Sequence, residues 1–338
     1  MGSLCSQTMI ARLALDHGAR GARIRLGGMT AGELNNTFGL PGVLRFEQEG
    51  ELVRAQITTA VATATVYLYG AHLTEWQPAG EQPVIFLSNR TELTPGKAIR
   101  GGIPICLPWF AMRGGGGPGP SHGFARIEPW TLAFAALAGE DLHLTLTLAP
   151  TELSKSLGFD DFRFAYEISI GRTLTLRLTV ANMGEQPMRF EEALHTYFHV
   201  GDVRKLAVEG LEAAAYFDKT DGLRQKLAPA EPLRFTATTD SVFAGARGEV
   251  KIVDAVLQRT IRVEKVNSAT TVVWNPFAQG AAKIADLGPE EWPDFVCVEA
   301  ANTGADAIML AAGQAHTMQM RVSLDAGGDG SASAGGQA

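Results

Sequence analysis

The dominant pattern along the middle of the chain is an alternation of apolar and polar residues with a period of two. Residues 142–148 and 174–180 place Leu or Val at every second position, with His, Thr or Arg between them. Successive side chains of a β-strand point to opposite faces, so this pattern predicts antiparallel strands that each bury one face. Further strands are predicted at 62–69, 164–170, 250–253, 260–266, 270–274 and 316–322.

The arrangement of these strands indicates the fold class. Gly, Pro and Asn separate them, and long amphipathic helices are scarce. Many strands without a regular alternation of strand and helix predict an all-β fold, a large antiparallel β-sandwich. No linker or repeat divides the middle of the chain, so residues 29–324 are predicted to form a single domain.

The two ends of the chain differ from the middle. Residues 1–28 contain four arginines and one acidic residue, and we expect a leader or a disordered extension there. Residues 325–338 consist mainly of Gly, Ser, Ala and Asp, with almost nothing to bury, and predict a disordered tail.

Composition narrows the class of protein. The chain has 338 residues, 46% of them hydrophobic, and a net charge of -7, which suits an enzyme with a large core and disfavours nucleic acid or anionic membranes as partners. Its apolar runs are far shorter than the roughly 20 residues of a membrane helix, so a cytoplasmic location is expected.

Cys5, Cys106 and Cys297 have no metal-ligand spacing and predict reduced, buried thiols.

Two arginines flank a segment rich in glycine and proline. Arg100 opens the stretch RGGIP and Arg126 closes the stretch SHGFAR, and we expect both in loops or at strand ends. A guanidinium is a planar fork of donors that matches phosphate oxygens, so two converging arginines would bind a phosphate monoester. The alternative is that either arginine pairs with a surface carboxylate.

The glycines at 114–117 lack the ending of a phosphate loop and predict a flexible loop at the mouth of the site.

Two histidines have a spacing that would suit a metal ion on a helix. His195 and His199 are four residues apart, but the intervening Thr-Tyr-Phe favours a strand, in which they would lie roughly 13 Å apart. We therefore predict no metal site. An isolated histidine in this setting is otherwise a hydrogen-bonded residue of the core.

Glu299 follows the apolar run FVCV, where a carboxylate is costly to bury. Loss of hydration would raise its pKa toward neutrality and suit it to take a hydroxyl proton, whereas a neighbouring cation would oppose that shift. The alternative is a carboxylate at the rim of the core that backbone donors satisfy.

Six blocks taken together resemble the hexose-6-phosphate mutarotases of the aldose 1-epimerase superfamily. In order they are RGGIPICLPWF, SHGFAR, ALHTYF, TTDSVF, VWNPF and FVCVEAAN, and the resemblance covers about residues 45–322. It implies a β-supersandwich of the galactose mutarotase type without metal or organic cofactor. It also implies interconversion of the α and β anomers of an aldohexose 6-phosphate through the open-chain aldehyde. We expect the protein to be a monomer.

The same resemblance implies the roles of individual residues. His195 and Glu299 match the catalytic acid and base. Arg100, Arg126 and Asp240 match residues that bind the substrate, and His122, in the same block as Arg126, is also predicted to bind it. Ser121 stands where some members carry a glutamine that contacts the substrate. Four aromatic residues could line the pocket or simply pack in the core: Trp76, Trp109, Phe124 and Trp274.

Two other classes of protein remain open from the residues alone. A glycoside hydrolase would need a second carboxylate facing Glu299 across about 5 to 10 Å, for which Asp240 is the candidate. A non-catalytic carbohydrate-binding or regulatory protein could have the same fold without turnover.

Overall fold

The computed structural model describes residues 28–325. The predictions made for the two ends therefore fall almost entirely outside the described residues. One residue of the predicted tail is described: Asp325 ends the last strand, where it pairs with Thr260 and lies 3.3 Å from the guanidinium of Arg262. The ordered strand thus continues one residue further than the composition indicates.

Strands are the main regular structure in the described part of the chain, and they pair antiparallel, as predicted. The strands are β1 (Leu44–Glu49), β2 (Leu52–Thr58), β3 (Ala62–Tyr67), β4 (His72–Pro78), β5 (Ile105–Cys106), β6 (Thr131–Ala138), β7 (Asp141–Leu148), β8 (Phe162–Ile170), β9 (Leu174–Asn182), β10 (Met188–Phe190), β11 (Glu192–Leu194), β12 (Tyr197–His199), β13 (Leu206–Glu209), β14 (Ala215–Asp218), β15 (Arg224–Leu227), β16 (Thr239–Phe243), β17 (Val250–Asp254), β18 (Arg259–Val266), β19 (Thr270–Asn275), β20 (Phe295–Asn302), β21 (Ile308–Leu310) and β22 (Ala315–Asp325).

These strands form two large sheets and two small ones. One eight-stranded sheet has the order β13-β17-β18-β22-β9-β8-β7-β6. The other, which we call the site sheet, has the order β15-β14-β16-β19-β20-β11-β5, and β12 also pairs with β20. The strands β1 to β4 form a four-stranded sheet, and β10 pairs with β21. Neighbours in the site sheet come from distant parts of the chain, and this brings the separate sequence blocks together.

Burial explains why the period-two pattern forms these strands. Along β8 every second side chain is buried, and β9 begins in the same way, so each strand turns its apolar face to the core. Trp76 of β4 is buried in the same core and donates its indole hydrogen to the carbonyl of Gly171 at 3.1 Å. The core is therefore shared between the four-stranded sheet and the eight-stranded sheet that contains β8.

Helices are short within residues 28–325, as the sequence indicated. They are α1 (Ala31–Phe38), α2 (Glu152–Ser156) and α3 (Phe277–Ala281). A capping box starts α1, in which the Thr30 hydroxyl accepts from the Glu33 amide and the Glu33 carboxylate accepts from the Thr30 amide. None of the described helices has the length and apolar character to cross a membrane.

Candidate active site

The site sheet places several chemically active side chains on one face. Asp240 pairs with Trp274, Trp274 pairs with Cys297, and Cys297 pairs with Tyr197, so these residues form one row across β16, β19, β20 and β12. Residues that are paired in a sheet point to the same side, as do residues two apart in a strand. Glu299 therefore points to the same side as this row.

His195 and Glu299 meet on this face. His195 lies in the break between β11 and β12, and its Nε2 is 3.5 Å from Oε1 of Glu299. Glu299 is 1% exposed and His195 is 8% exposed. The ring of Tyr197 stacks on His195 with centroids 5.0 Å apart, and Trp274 packs edge-on at 5.8 Å. The two predicted catalytic residues are thus adjacent and almost fully buried.

Each member of this pair has an atom without a partner. Oε2 of Glu299 and Nδ1 of His195 are buried and make no hydrogen bond to the described residues. Buried polar atoms are nearly always hydrogen-bonded in folded proteins, and leaving one unsatisfied costs about 1–3 kcal/mol. Glu299 is therefore not the rim carboxylate satisfied by backbone donors that was the alternative interpretation.

Burial and the surrounding charges shift the pKa of both Glu299 and His195. Burial raises the pKa of Glu299, the carboxylate of Asp240 raises it further, and Lys219 and Arg126 oppose the shift. Burial lowers the pKa of His195, and the nearby His122, Arg126 and Arg100 act in the same direction. The proton that the pair shares in the free site is therefore favoured on Glu299.

Arg100 is directed at the site by two contacts. Its Nε donates to Oδ1 of Asp286 at 3.1 Å, and one terminal nitrogen donates to the Tyr197 hydroxyl at 3.0 Å. The pairing with a carboxylate that we considered from sequence therefore does occur for Arg100. The terminal nitrogen that takes no part in these bonds remains available to a ligand.

Arg126 has no such counter-ion. It lies in the short 3₁₀ turn Ala125–Ile127, not at a strand end, and one terminal nitrogen donates to the Ser121 carbonyl at 2.7 Å. Its Nε is buried without a partner, and no carboxylate of residues 28–325 lies within 4.0 Å of it. Burial lowers the pKa of Arg126, and the charge of Arg100 adds to this effect. A mostly buried guanidinium that lacks an anion is a feature of an anion-binding site.

His122 lies beside His195, in the same loop as Arg126. Its ring lies 5.6 Å from the ring of His195, and its Nδ1 accepts a hydrogen bond from the Ala111 amide at 3.2 Å. Burial and the charges of Arg126, Lys219 and Arg100 lower the pKa of His122 to about 3. The ring is therefore neutral at physiological pH, with its hydrogen on Nε2, and can donate one hydrogen bond.

The backbone around His122 depends on glycine. His122 itself has a φ of 62°, and Gly123 follows with a φ of 74°. A Cβ at Gly123 would lie 2.0 Å from the carbonyl oxygen of Leu107, so no other residue fits there without a shift of the backbone. This close approach fixes the loop that carries both His122 and Arg126.

Asp240 has a partner that the sequence did not indicate. Nζ of Lys219 lies 3.1 Å from Oδ2 of Asp240 and 5.4 Å from the ring centroid of Phe110. Burial raises the pKa of Asp240, and Lys219 opposes the shift. Lys219, Tyr197 and Asp286 were all missed as site residues. Of these, Tyr197 at least lay inside a recognised block, ALHTYF.

The four aromatic candidates divide into two groups. Trp274 contacts His195 and Tyr197 and lines the site. Trp76, Trp109 and Phe124 are core residues, each 5% exposed or less. Core packing was the alternative interpretation for all four, and it holds for these three.

Other features of the sequence lie apart from this pair. His199 ends β12, where its amide donates to the Val84 carbonyl at 2.9 Å. Within residues 28–325 no three His, Cys, Asp or Glu side chains are grouped as metal ligands.

Cys106 and Cys297 are buried free thiols, as predicted, whereas Cys5 lies outside the described residues. The glycines at 114–117 form an exposed turn, and closure of this loop over a ligand stays a prediction.

Comparisons with known proteins agree with this arrangement. The family model Aldose 1-epimerase matches residues 54–323. A protein of Escherichia coli (strain K12) named "Putative glucose-6-phosphate 1-epimerase" is 36% identical over 240 residues, which are 70% of this chain and 79% of that protein. The crystal structure of a "putative mutarotase" from Salmonella typhimurium has a TM-score of 0.78 at 30% identity, over 83% of this chain and 93% of that chain.

A more distant structure tests the fold alone. Galactose 1-epimerase from Lactobacillus acidophilus NCFM is 13% identical, and its TM-score of 0.64 extends over 83% of this chain and 98% of that chain. The predicted β-supersandwich of the galactose mutarotase type is thereby confirmed.

Proposed function

The chain belongs to the aldose 1-epimerase family, and from this premise we propose that it interconverts the α and β anomers of an aldohexose 6-phosphate, with glucose 6-phosphate as the substrate. The observation that carries the proposal is the 3.5 Å separation of His195 Nε2 and Glu299 Oε1. The hydroxyl and the ring oxygen that exchange protons in this reaction are bonded to the same carbon, C1. An acid and a base that serve both oxygens must therefore lie side by side.

The reaction then follows from this geometry. Glu299 takes the proton of the C1 hydroxyl while His195 donates a proton to the ring oxygen, and the bond between C1 and that oxygen breaks to give the aldehyde. Rotation about C1–C2 presents the other face of the carbonyl. The ring closes when the same two groups return and remove the protons in reverse. Because anomers interconvert without a covalent intermediate, the protein supplies position and proton transfer.

The negative charge of the substrate phosphate would favour the protonation of His195 that ring opening requires. The free site favours the proton on Glu299, whereas ring opening begins with the proton on His195. Arg126 and Arg100 are among the charges that disfavour a protonated His195. A phosphate bound by both arginines would offset their charge and move the shared proton toward His195.

The surrounding side chains suit the rest of a phosphosugar. Arg126 lacks a counter-ion and Arg100 has a terminal nitrogen to spare, so together they would hold the phosphate. Asp240 and the neutral ring of His122 would bind sugar hydroxyls, and Ser121 would position Arg126 through its carbonyl. A glycosidase would use Asp240 as its second carboxylate, but the ion pair with Lys219 suits Asp240 better to binding. The cytoplasmic location and the monomeric state stay predictions.

The direct test is anomer exchange measured by NMR saturation transfer on glucose 6-phosphate and on glucose. We expect the protein to accelerate exchange of the phosphosugar well above the rate in buffer, and to act more weakly on glucose. Binding of the phosphosugar without any acceleration would favour the non-catalytic carbohydrate-binding protein instead.

The phosphate site leads to a separate prediction. Arg126→Gln should raise KM for glucose 6-phosphate by about 10- to 100-fold, because a hydrogen bond to a charged group contributes about 1.5–3 kcal/mol. Arg100→Ala should act in the same direction. Both should change KM for free glucose much less, since the phosphate is remote from C1. Exchange rates measured over a range of concentrations of each sugar give these constants.

The control is Arg45→Gln, which removes an arginine that is 76% exposed and pairs with Glu47. It should leave both constants unchanged. Equal increases in KM for the two sugars in the Arg126 and Arg100 variants would rule out the phosphate assignment.

A further inference from the structure

Two carboxylates share one face of the site sheet, and the charge of one lysine acts on both. Asp240 and Glu299 lie on the same side of β16 and β20, and the charge of Asp240 bears on Glu299. Lys219 is 3.1 Å from Asp240, and its charge also bears on Glu299. Carboxylates near each other in a poorly hydrated site disfavour each other's ionisation, so a cation paired with one of them favours the ionisation of both.

The chain segment around Lys219 is built to leave this lysine available. Lys219 begins the 3₁₀ turn Lys219–Asp221, which joins β14 to β15. The two acidic residues beside it, Asp218 and Asp221, lie 2.7 Å and 3.0 Å from the ammonium of Lys226. Because Lys226 compensates both, Lys219 is not drawn to its own neighbours in sequence. Its side chain instead extends over the ring of Phe110 to Asp240.

The other charged groups near the two carboxylates can be named. Glu299 faces His195 and is influenced by Arg126, and the buried thiols of Cys106 and Cys297 lie on the same side. Asp240 is influenced by Lys219 and, more weakly, by Asp218, which is already paired. Arg126 is the cation expected to bind substrate phosphate. Lys219 is therefore the cation whose charge remains for the carboxylates when the site is occupied.

We propose that Lys219 is a positioning residue for the reaction: it compensates Asp240 and thereby allows Glu299 to pass its proton to His195. This inference rests on the proposed function, because it gives Glu299 the role of the base. Lys219 acts through Asp240 and Glu299 and is not assigned a contact with the reacting atoms.

The test is the pH dependence of kcat/KM for glucose 6-phosphate exchange in the full chain. The reaction needs the one proton that Glu299 and His195 share, so its loss to solvent ends activity at high pH. In Lys219→Met, loss of the cation makes Glu299 harder to deprotonate, so this fall of activity should move upward by on the order of one pH unit. Below the midpoint the variant should be less active than the wild type, because Glu299 holds the shared proton more strongly and passes it to His195 less readily. Lys219→Arg should restore the original midpoint, and Lys155→Met, which removes an exposed lysine of α2, should not change it.

A second measurement does not require turnover. Glutamate side chains labelled with ¹³C at the carboxyl carbon can be titrated by NMR, with the Glu299 signal assigned by its loss in Glu299→Gln. Its midpoint should lie higher in Lys219→Met than in the wild type. If the wild type shows no exchange, the proposed function fails, yet this titration still decides the effect of Lys219 on Glu299.

Two results would overturn the inference. One is an unchanged Glu299 midpoint in Lys219→Met, with activity reduced by the same factor at every pH, which would indicate a purely structural role. The other is failure of Lys219→Arg to restore the midpoint, because a charge effect does not depend on the identity of the cation.

Discussion

Replacing Glu299 with glutamine should slow the catalysed anomer exchange of glucose 6-phosphate by about 10²- to 10⁴-fold, the usual contribution of a positioned acid or base. Glutamine has the shape of glutamate but cannot take the proton of the C1 hydroxyl. His195→Asn should have a similar effect. It removes the imidazole that lies 3.5 Å from the Glu299 carboxylate, and asparagine cannot give a proton to the ring oxygen. Saturation-transfer NMR at saturating substrate measures the loss as a change in kcat.

The chain contains a matched control for this experiment. Glu192 is also fully buried, with Oε1 3.0 Å from Nε2 of His316 and 2.8 Å from the amide nitrogen of Asn302. Glu192→Gln removes a buried carboxylate beside a histidine, as Glu299→Gln does, but away from the proposed chemistry. It should leave exchange near the wild-type rate. A loss of equal size in both variants would mean that burial of the carboxylate, and not proton transfer, explains the effect.

The longer strands could be predicted because their alternation of apolar and polar residues follows the alternation of buried and exposed side chains. In β8 and β9 each strand has one face against the core, so the apolar residues fall on alternate positions. Each strand can therefore be recognised from its own sequence, without knowledge of its neighbours. Short strands such as β5 and β11 are buried on both faces and have two or three residues each. They show no alternation, and their pairing is determined by contacts between distant segments.

The site was predictable only in part, for a related reason. His195, Glu299 and the two arginines were identified because their sequence blocks resemble those of a known family. Lys219 has no such block: its contact with Asp240 arises because β14 pairs with β16 and the turn after β14 then reaches over the sheet. Asp286 likewise meets Arg100 only through the fold. Partners that depend on the pairing of distant strands leave no local pattern in the sequence.

Phe124→Ala should lower the free energy of unfolding by about 3–5 kcal/mol, the usual cost of removing a buried phenyl ring. Phe124 is 0% exposed, and its ring lies against four others whose centroids are 5.7 to 6.2 Å away: Trp109, Phe159, Phe162 and Phe164. Urea unfolding followed by tryptophan fluorescence measures the change. Phe124→Leu leaves a smaller cavity and should lose less, which keeps the comparison possible if the alanine variant does not fold.

Loss of the Phe124 ring should affect function as well as stability. Phe124 anchors the turn that carries His122 and Arg126, so the folded fraction of Phe124→Leu should also bind glucose 6-phosphate less tightly than the wild type. Phe134→Ala is the control, because Phe134 lies on β6 and is 47% exposed, and it should change neither stability nor binding appreciably. If Phe124→Ala and Phe134→Ala were equally stable, the aromatic cluster would not be what holds the arginine and the histidine at the site.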